Sequence, residues 1–570
     1  MKTSRITDFF DVIFRSDLIK TSFNLPNLIV FSVSLIWFIS FQTNEGLWYD
    51  ECFSYFHSQG TKEDIFLVST WDSNPPIYYF IVKYWIALVS FSEDKLRFLS
   101  LLFSLINVVI LFSWTRKRLG ISASISLVLL FLFSSINIEY ANEARAYTWI
   151  FLLITVSNLF FLKFLREPSI HVSLFLGLWY IMIFYSHYIE GIVVLIHGLY
   201  LLFFVLASKR SIQQIIDYFL KYSLGLGLFI YMLYKGQMFF SNSFNHGANK
   251  MVTSPSINDL PRLLIELFND SYLVVFLICF TFLIWLIGKI KNKIILVEND
   301  NIILFHLFFI LTSFLVLFFV SQFTPMFTRR YLMFTVTPVF ISIIFIVYSS
   351  NEKWRKYSIY IFSLLFFSFA FSMKTKFKKQ MEIREAVEYV KTHKSKNSLI
   401  IIHTKDIVAN FSLYFDNKIF CKYFLQVEQL TRNGVIAVNE LDLTLKKLNY
   451  SLFDKVLVFR VFSSTEFEKD LDGILDDYFL KTEKIDKFRG VEINVYSNPS
   501  QFIHKSNDQI NEYFKYLAIY QYVQKIQSDL NWYKHVKDKA LEMNNNLDSV
   551  LYEEAKWVMN EDFKRLKYSK

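Results

Sequence analysis

Asp50 and Glu51 stand side by side in Trp48-Tyr49-Asp50-Glu51, just past the first apolar block. A carboxylate within hydrogen-bond reach of a hydroxyl or amine can take its proton during nucleophilic attack, which is general-base chemistry. The plainer alternative is that these acids cap the helix that follows. A second polar stretch runs Glu139-Tyr140-Ala141-Asn142-Glu143-Ala144-Arg145-Ala146-Tyr147. Glu139 and Glu143 are four residues apart and share a face if the stretch is helical. Arg329-Arg330-Tyr331 offers guanidinium forks, which match phosphate oxygens. Its alternative is snorkelling toward lipid headgroups. Arg145 and Lys83 are further cations for an anion, each with a structural ion pair as the alternative. His187, beside Tyr188 and Glu190, could bind a metal, relay a proton or touch a substrate, although a lone interfacial histidine is more often structural. His57 and His246 have no ligand spacing to it, so the metal stays unassigned and a divalent ion stays open. Cys52, Cys279 and Cys421 show no CxxC pattern.

The elements that must position these groups are mostly apolar helices. The 570 residues are 54% hydrophobic, and the mean hydropathy is +0.33. The apolar residues come in long blocks, which places the chain in the membrane class. The first block, near Asn27–Phe41, has no small-residue cleavage site and reads as a retained anchor. A span needs about 20 mainly apolar residues. The candidate spans are 27–43, 96–115, 121–138, 146–164, 171–186, 190–207, 217–235, 271–289, 301–320, 331–349 and 357–373.

The net charge of +10 could suggest nucleic acid on a soluble chain. Here the basic residues fall in short gaps between apolar blocks, the pattern that orients a membrane protein. Lys2, Arg5, Arg15 and Lys20, then Arg116-Lys117-Arg118, Lys163 with Arg166, Lys209-Arg210, Lys289 with Lys291 and Lys293, and Lys353 with Arg355-Lys356 all share the cytoplasmic side if residues 76–91 do not cross. Ile77–Phe91 is short, follows Pro75-Pro76 and contains Lys83, so it is expected as an amphipathic helix on the outer face. About eleven spans with a cytoplasmic N-terminus result. Every candidate site residue then falls outside, and Arg329-Arg330 run against the usual charge bias. Cys52 and Cys421 also fall outside, so a bridge between them stays open. No cytoplasmic loop is large enough for a nucleotide-binding domain, which argues against a cytosolic sugar nucleotide or ATP.

The expected organisation is a transmembrane domain over 1–373, a soluble extracytoplasmic α/β domain over 374–500 and a charged helical tail over 501–570. In the soluble domain Glu382–Thr392 reads as a helix, with strands at Ser398–His403, Lys455–Phe459 and Val491–Tyr496. It contains no G-x-G-x-x-G and no phosphate loop.

Asp50-Glu51 followed by Asp72-x-Asn74-Pro75-Pro76-x-Tyr78-Tyr79 resembles a known pattern, as does Asn142-Glu143-Ala144-Arg145-Ala146-Tyr147. With Arg329-Arg330-Tyr331-Leu332, Pro338 and Arg384-Glu385-Ala386-x-x-Tyr389, the ordered series over residues 25–500 resembles the GT-C superfamily of integral-membrane glycosyltransferases. The nearest branch is the one related to protein O-mannosyltransferases and the aminoarabinose transferase of lipid A. Each motif is weak alone; their order and shared membrane side are the specific part.

The resemblance implies a GT-C-like α-helical multi-pass membrane fold, a polyprenyl-phosphate sugar donor, inversion at the anomeric carbon and an acid in the first outer loop as base. Carried over by position, Asp50 is that base, Glu51 its neighbour and Glu143 the second acid. Lys83, Arg145, Tyr147, His187, Arg329, Arg330, Tyr331, Asp72 and Asn74 are the substrate-binding set. No Asp-x-Asp occurs in the second loop, so an oligosaccharyltransferase-type metal site is not implied. The acceptor is a lipid, a glycan or a protein, in the cytoplasmic membrane of a cell with an envelope. The competing function is a transporter or flippase of lipid-linked sugars. Against it, the charged groups cluster at one face and no duplicated half is visible.

Overall fold

Helices take up every segment that the apolar blocks predict, but they are not eleven equal crossings. The structure is a computed structural model that describes residues 24–70, 74–207, 210–237, 254–291, 298–349, 352–374, 377, 381–420, 425–439, 445, 448–461, 465–497, 507–543 and 545–568. Asp72, His246, Cys421 and the basic residues Lys2, Arg5, Arg15, Lys20, Lys209 and Lys293 lie outside the described residues, and with Cys421 so does its pairing with Cys52. The chain divides into two compact units: Met1–Thr43 with Thr61–Phe377, and Asn44–Gly60 with Lys378–Lys570.

In the first unit, seven described helices are long and apolar enough to cross a membrane. They are Glu93–Leu119, Tyr147–Arg166, Ile189–Ala207, Ile212–Lys235, Tyr272–Ile290, Asn299–Val320 and Arg329–Tyr348. The segment expected as one span over 121–138 is two helices, Ile121–Leu132 and Ser135–Ala141, bent by 68°. Leu25–Ile39 and Ile170–Phe184 have only 15 residues each. At about 1.5 Å per residue that reaches roughly 22 Å, short of the ~30 Å hydrocarbon core. The last apolar helix of this unit is Glu352–Phe371. Of the eleven expected spans, seven helices among the described residues, or eight with the bent pair, are long and apolar enough to cross by length and composition, and the others are shorter apolar helices there. Ile77–Val89 forms a 13-residue helix, in line with the short element predicted there.

The bend is an accounting problem, because a broken helix leaves backbone groups unpaired in an apolar interior. Side chains supply the partners. Asn137 Nδ2 donates to the Phe131 carbonyl (3.2 Å) and Trp37 Nε1 to the Leu132 carbonyl (2.8 Å). Asn269 Nδ2 donates to the carbonyls of Phe133 (3.0 Å) and Phe369 (2.9 Å), while its Oδ1 accepts from the Ser135 N–H (2.8 Å). Asn269 holds a left-handed backbone, φ 60°, which asparagine tolerates better than most residues. One apolar core runs through this unit, from Phe38 to Phe369.

In the second unit a five-stranded sheet has the order β2-β1-β3-β5-β4, with β1 Ser398–His403, β2 Val435–Val438, β3 Lys455–Arg460, β4 Leu480–Phe488 and β5 Val491–Ser497. Strand β1 pairs in parallel with β2 and β3, and β5 is antiparallel to both β3 and β4. The run Ser-Leu-Ile-Ile-Ile-His is buried throughout, as a central parallel strand requires. Residues Asn507–Ser528, Leu530–Glu542 and Leu547–Tyr568 form three helices with their own core, including Ile526, Val536, Leu551 and Ala555. The tail is thus a packed helical element within this unit.

Candidate active site

The bend delivers Glu139. It lies in the short helix Ser135–Ala141, and Asn142 Nδ2 closes that helix by donating to the Ile138 carbonyl (3.0 Å) and the Phe38 carbonyl (3.3 Å). Arg329, 190 residues later, donates through Nη2 to Glu139 Oε1 at 2.6 Å. Arg329 opens a four-residue helical turn, with Thr328 extended before it. Glu143 is buried and its carbonyl accepts the Arg145 N–H at 2.8 Å. The Arg329 ion pair thus uses Glu139, an acid outside the carried-over catalytic set. The four-residue spacing was the signal that pointed to it.

An aromatic chain continues from there. The Tyr140 and Tyr147 rings meet edge to face with centroids 4.8 Å apart. Tyr147 is 6.5 Å from the His187 ring, and His187 is 5.2 Å from Tyr331. Each tyrosine beside the histidine carries a guanidinium: Arg145 lies 5.9 Å from the Tyr147 centroid and Arg330 5.4 Å from that of Tyr331. The Asn74-Pro75-Pro76 turn joins the same region, since the Ile77 N–H donates to the Tyr185 carbonyl at 3.2 Å. The structure thus brings together Arg145, Tyr147, His187, Arg330 and Tyr331, links Arg329 to Glu139 at the Tyr140 end, and places Asn74 on an adjoining turn. His187 also contacts Glu190, a buried acid that sequence reasoning treated only as a neighbour.

Lys83 stands within electrostatic reach of Asp64 and Lys62. Burial pulls its ammonium below the ordinary lysine value, Asp64 opposes that and Lys62 adds to it. Tyr147 begins a helix that ends on Lys163 and Arg166, so the site residue and the basic turn occupy opposite ends of one element. The helix Glu93–Leu119 likewise ends on Arg116, Lys117 and Arg118.

Asp50 and Glu51 belong to the second unit. They sit in the first turn of the helix Tyr49–Gln59. Glu51 is fully buried, and the Trp48 N–H donates back to its Oε2 at 3.4 Å, so the capping alternative is realised by Glu51. Asp50 is half-buried, and its carbonyl accepts from Ser54 Oγ at 3.2 Å. The approach to this helix is fixed by the Tyr414 hydroxyl, which accepts the Leu47 N–H at 2.5 Å, and by Tyr55 stacked on Phe420 at 5.2 Å. Gly46 is required there, because a Cβ would lie 2.6 Å from Arg384 Cβ. Cys52 is buried, and burial, with Glu51 adding, pushes its thiol well above the ordinary value. Among the described residues no group of three His, Cys, Asp or Glu side chains could hold a metal ion.

Residues 73–234 match the sequence family described as dolichyl-phosphate-mannose-protein mannosyltransferase. No curated protein matches the chain. Among solved structures, the crystal structure of ArnT from Cupriavidus metallidurans in the apo state aligns at 11% identity and a TM-score of 0.51, covering 82% of this chain and 97% of that one. The same ArnT bound to undecaprenyl phosphate aligns at 11% identity and a TM-score of 0.50, covering 84% and 99%. The resemblance to the GT-C superfamily is borne out by the family match over residues 73–234 and by a shared ArnT-like fold.

Proposed function

We propose that this chain is an inverting glycosyltransferase that moves a sugar from a polyprenyl-phosphate-linked donor to a lipid, glycan or protein acceptor at the outer face of the cytoplasmic membrane. The observation that carries the proposal is the cluster in the membrane unit. Arg145, Arg330 and His187 line up with Tyr147 and Tyr331, with Arg329 on Glu139 beyond. Guanidinium groups over aromatic rings suit a phosphate joined to a sugar: the cations take the charge and the rings pack on the sugar's C–H face. The ArnT whose fold the chain shares binds undecaprenyl phosphate, which supports the donor class.

In the proposed reaction the acceptor oxygen or nitrogen attacks the anomeric carbon as its proton passes to a carboxylate, for which Asp50 is the candidate. The bond from that carbon to the phosphate oxygen breaks, and its electron pair stays on the phosphate. One displacement inverts the carbon. Negative charge grows on the leaving phosphate, where fixed cations lower the barrier. The outer-face assignment, with the N-terminus cytoplasmic and the sheet domain outside, is supported by the basic turns at the helix ends opposite Tyr147 and Glu93.

The test is turnover in reconstituted vesicles. Purified protein, a polyprenyl-phosphate sugar and an envelope lipid extract should yield a product heavier by one sugar on mass spectrometry. Movement of a labelled donor across the bilayer with no chemical turnover would instead establish a transporter.

A further inference from the structure

Two polar side chains buried in the membrane unit have no hydrogen-bond partner among the described residues. Asn107 and Thr148 are 1% and 5% exposed, yet neither amide atom of Asn107 nor the Thr148 hydroxyl is paired. Asn107 belongs to the helix Glu93–Leu119. Thr148 is the second residue of Tyr147–Arg166, next to the tyrosine that faces His187. Both line one small cavity. Its polar wall is completed by Ser104, one helical turn before Asn107, and by Asn137 and Tyr140, which share a face of the short helix Ser135–Ala141. Met333, just past the turn Arg329–Leu332, and two phenylalanines supply the apolar wall.

A buried amide or hydroxyl without a hydrogen bond is costly, and native proteins commonly satisfy such groups with an ordered water. The cavity offers about 10 Å³ to the centre of a water molecule, room for one. A buried water also needs two to four polar partners. Asn107 and Thr148 supply two. Ser104 Oγ, which donates to the Ser100 carbonyl at 3.2 Å, keeps lone pairs for a third. None of the described residues lining the cavity is charged, so an ion drawn into it would find no opposite charge to offset its desolvation. Size and chemistry both select a single neutral, polar guest.

We propose that this cavity is a binding site for one structural water, which accepts a hydrogen bond from the Asn107 amide and donates to Thr148 Oγ1 and Ser104 Oγ. The site joins the helix Glu93–Leu119 to the start of Tyr147–Arg166. It lies against the short helix that carries Tyr140 and against Met333, two residues after Tyr331. The water therefore braces, from behind, the elements that present the aromatic chain Tyr140–Tyr147–His187–Tyr331. The inference needs no assumption about the reaction and stands or falls apart from the glycosyltransferase reading.

The experiment compares thermal unfolding of the full chain in nanodiscs with that of Asn107→Leu, Thr148→Val and the double variant, each close in shape to the residue it replaces. In a dry cavity both substitutions remove an unpaired polar group, and each should raise Tm. With a bridging water each single substitution removes one of its partners, so each should lower Tm by about 1–3 °C. The double variant should lose less than the sum, because two apolar walls expel the water and strand fewer groups. A structure of the unsubstituted protein at a resolution that shows ordered waters should place one within about 2.6–3.2 Å of both Asn107 and Thr148 Oγ1. A rise or no change in Tm for either single variant, or no water at that place in such a structure, overturns the inference. If a single variant does not fold, the structure of the unsubstituted protein decides alone.

Discussion

Arg329 reaches back to Glu139 across 2.6 Å, closing an ion pair between residues 190 positions apart in the chain. The pair fixes the short helix after the bend against the turn that carries Arg330 and Tyr331. Both partners are partly exposed, so their coupling should be modest in water and larger where lipid and protein limit solvent access. A double-mutant cycle with Glu139→Gln and Arg329→Gln, read by thermal unfolding in detergent, should give a coupling of about 0.5–3 kcal/mol. Strict additivity of the two single losses would show that the contact carries no energy of its own.

Asn269 is the main stitch of the bent span, pairing with Phe133, Ser135 and Phe369. Asn269→Leu removes all three partnerships and leaves buried backbone groups unpaired. We expect a stability loss of about 1–3 kcal/mol and a fall in transfer activity, since Glu139 depends on this geometry. Wild-type melting behaviour and turnover in that variant would mean that water or lipid satisfies the bend without it.

The sheet domain carries a polar network that makes an acid-pH prediction. Buried Arg460 donates to Asp472 (2.6 Å) and, more distantly, to Glu492 (3.4 Å); the Tyr496 hydroxyl donates to Asp472 (2.6 Å), and Lys484 pairs with Glu492 (2.7 Å). Burial raises the Asp472 carboxyl, but the hydrogen bonds from Tyr496 and Arg460 outweigh it and hold it below the usual range. For Glu492 burial is likewise outweighed, by Lys484 and Asn494. A carboxyl depressed in the folded state contributes stability above its unfolded value, about 4, and that contribution is lost as pH falls through the lower folded value. Calorimetry of the full chain should therefore show the destabilisation caused by Arg460→Met at pH 7 shrinking below about pH 4. A difference that stays constant down to pH 3 would assign the effect to packing alone.

Cys52 lies next to Glu51 in the buried first turn of its helix, with its thiol pushed up by burial. Only the thiolate reacts readily. Maleimide labelling followed by peptide mass spectrometry should leave Cys52 unmodified in the folded protein and modify it in denaturant. Rapid labelling in the folded state would show that this helix does not stay packed.

Much of this was readable in advance, for physical reasons that differ by residue. The parallel strand Ser398–His403 announces itself as an unbroken apolar run, whereas Leu480–Phe488 escaped notice because it is a charged, exposed edge strand. Val435–Val438 is too short to stand out. The bend at Phe133–Ser134 sits inside a mainly apolar block; Asn137 is its local partner, but Asn269 and Trp37, which complete it, are far away in sequence. Arg145, Arg330, Tyr147, Tyr331 and His187 were found because polar groups at the ends of apolar helices stand out. The contact of buried Glu190 with His187 did not, because a sequence does not display burial.

The most direct test of the account is sugar transfer by Asp50→Asn. This isosteric change removes a proton acceptor and keeps the helix turn. The account predicts normal expression, normal melting and normal undecaprenyl-phosphate binding, with transfer from a polyprenyl-phosphate sugar reduced by about 100-fold or more. Full transfer activity in the folded Asp50→Asn protein would contradict it.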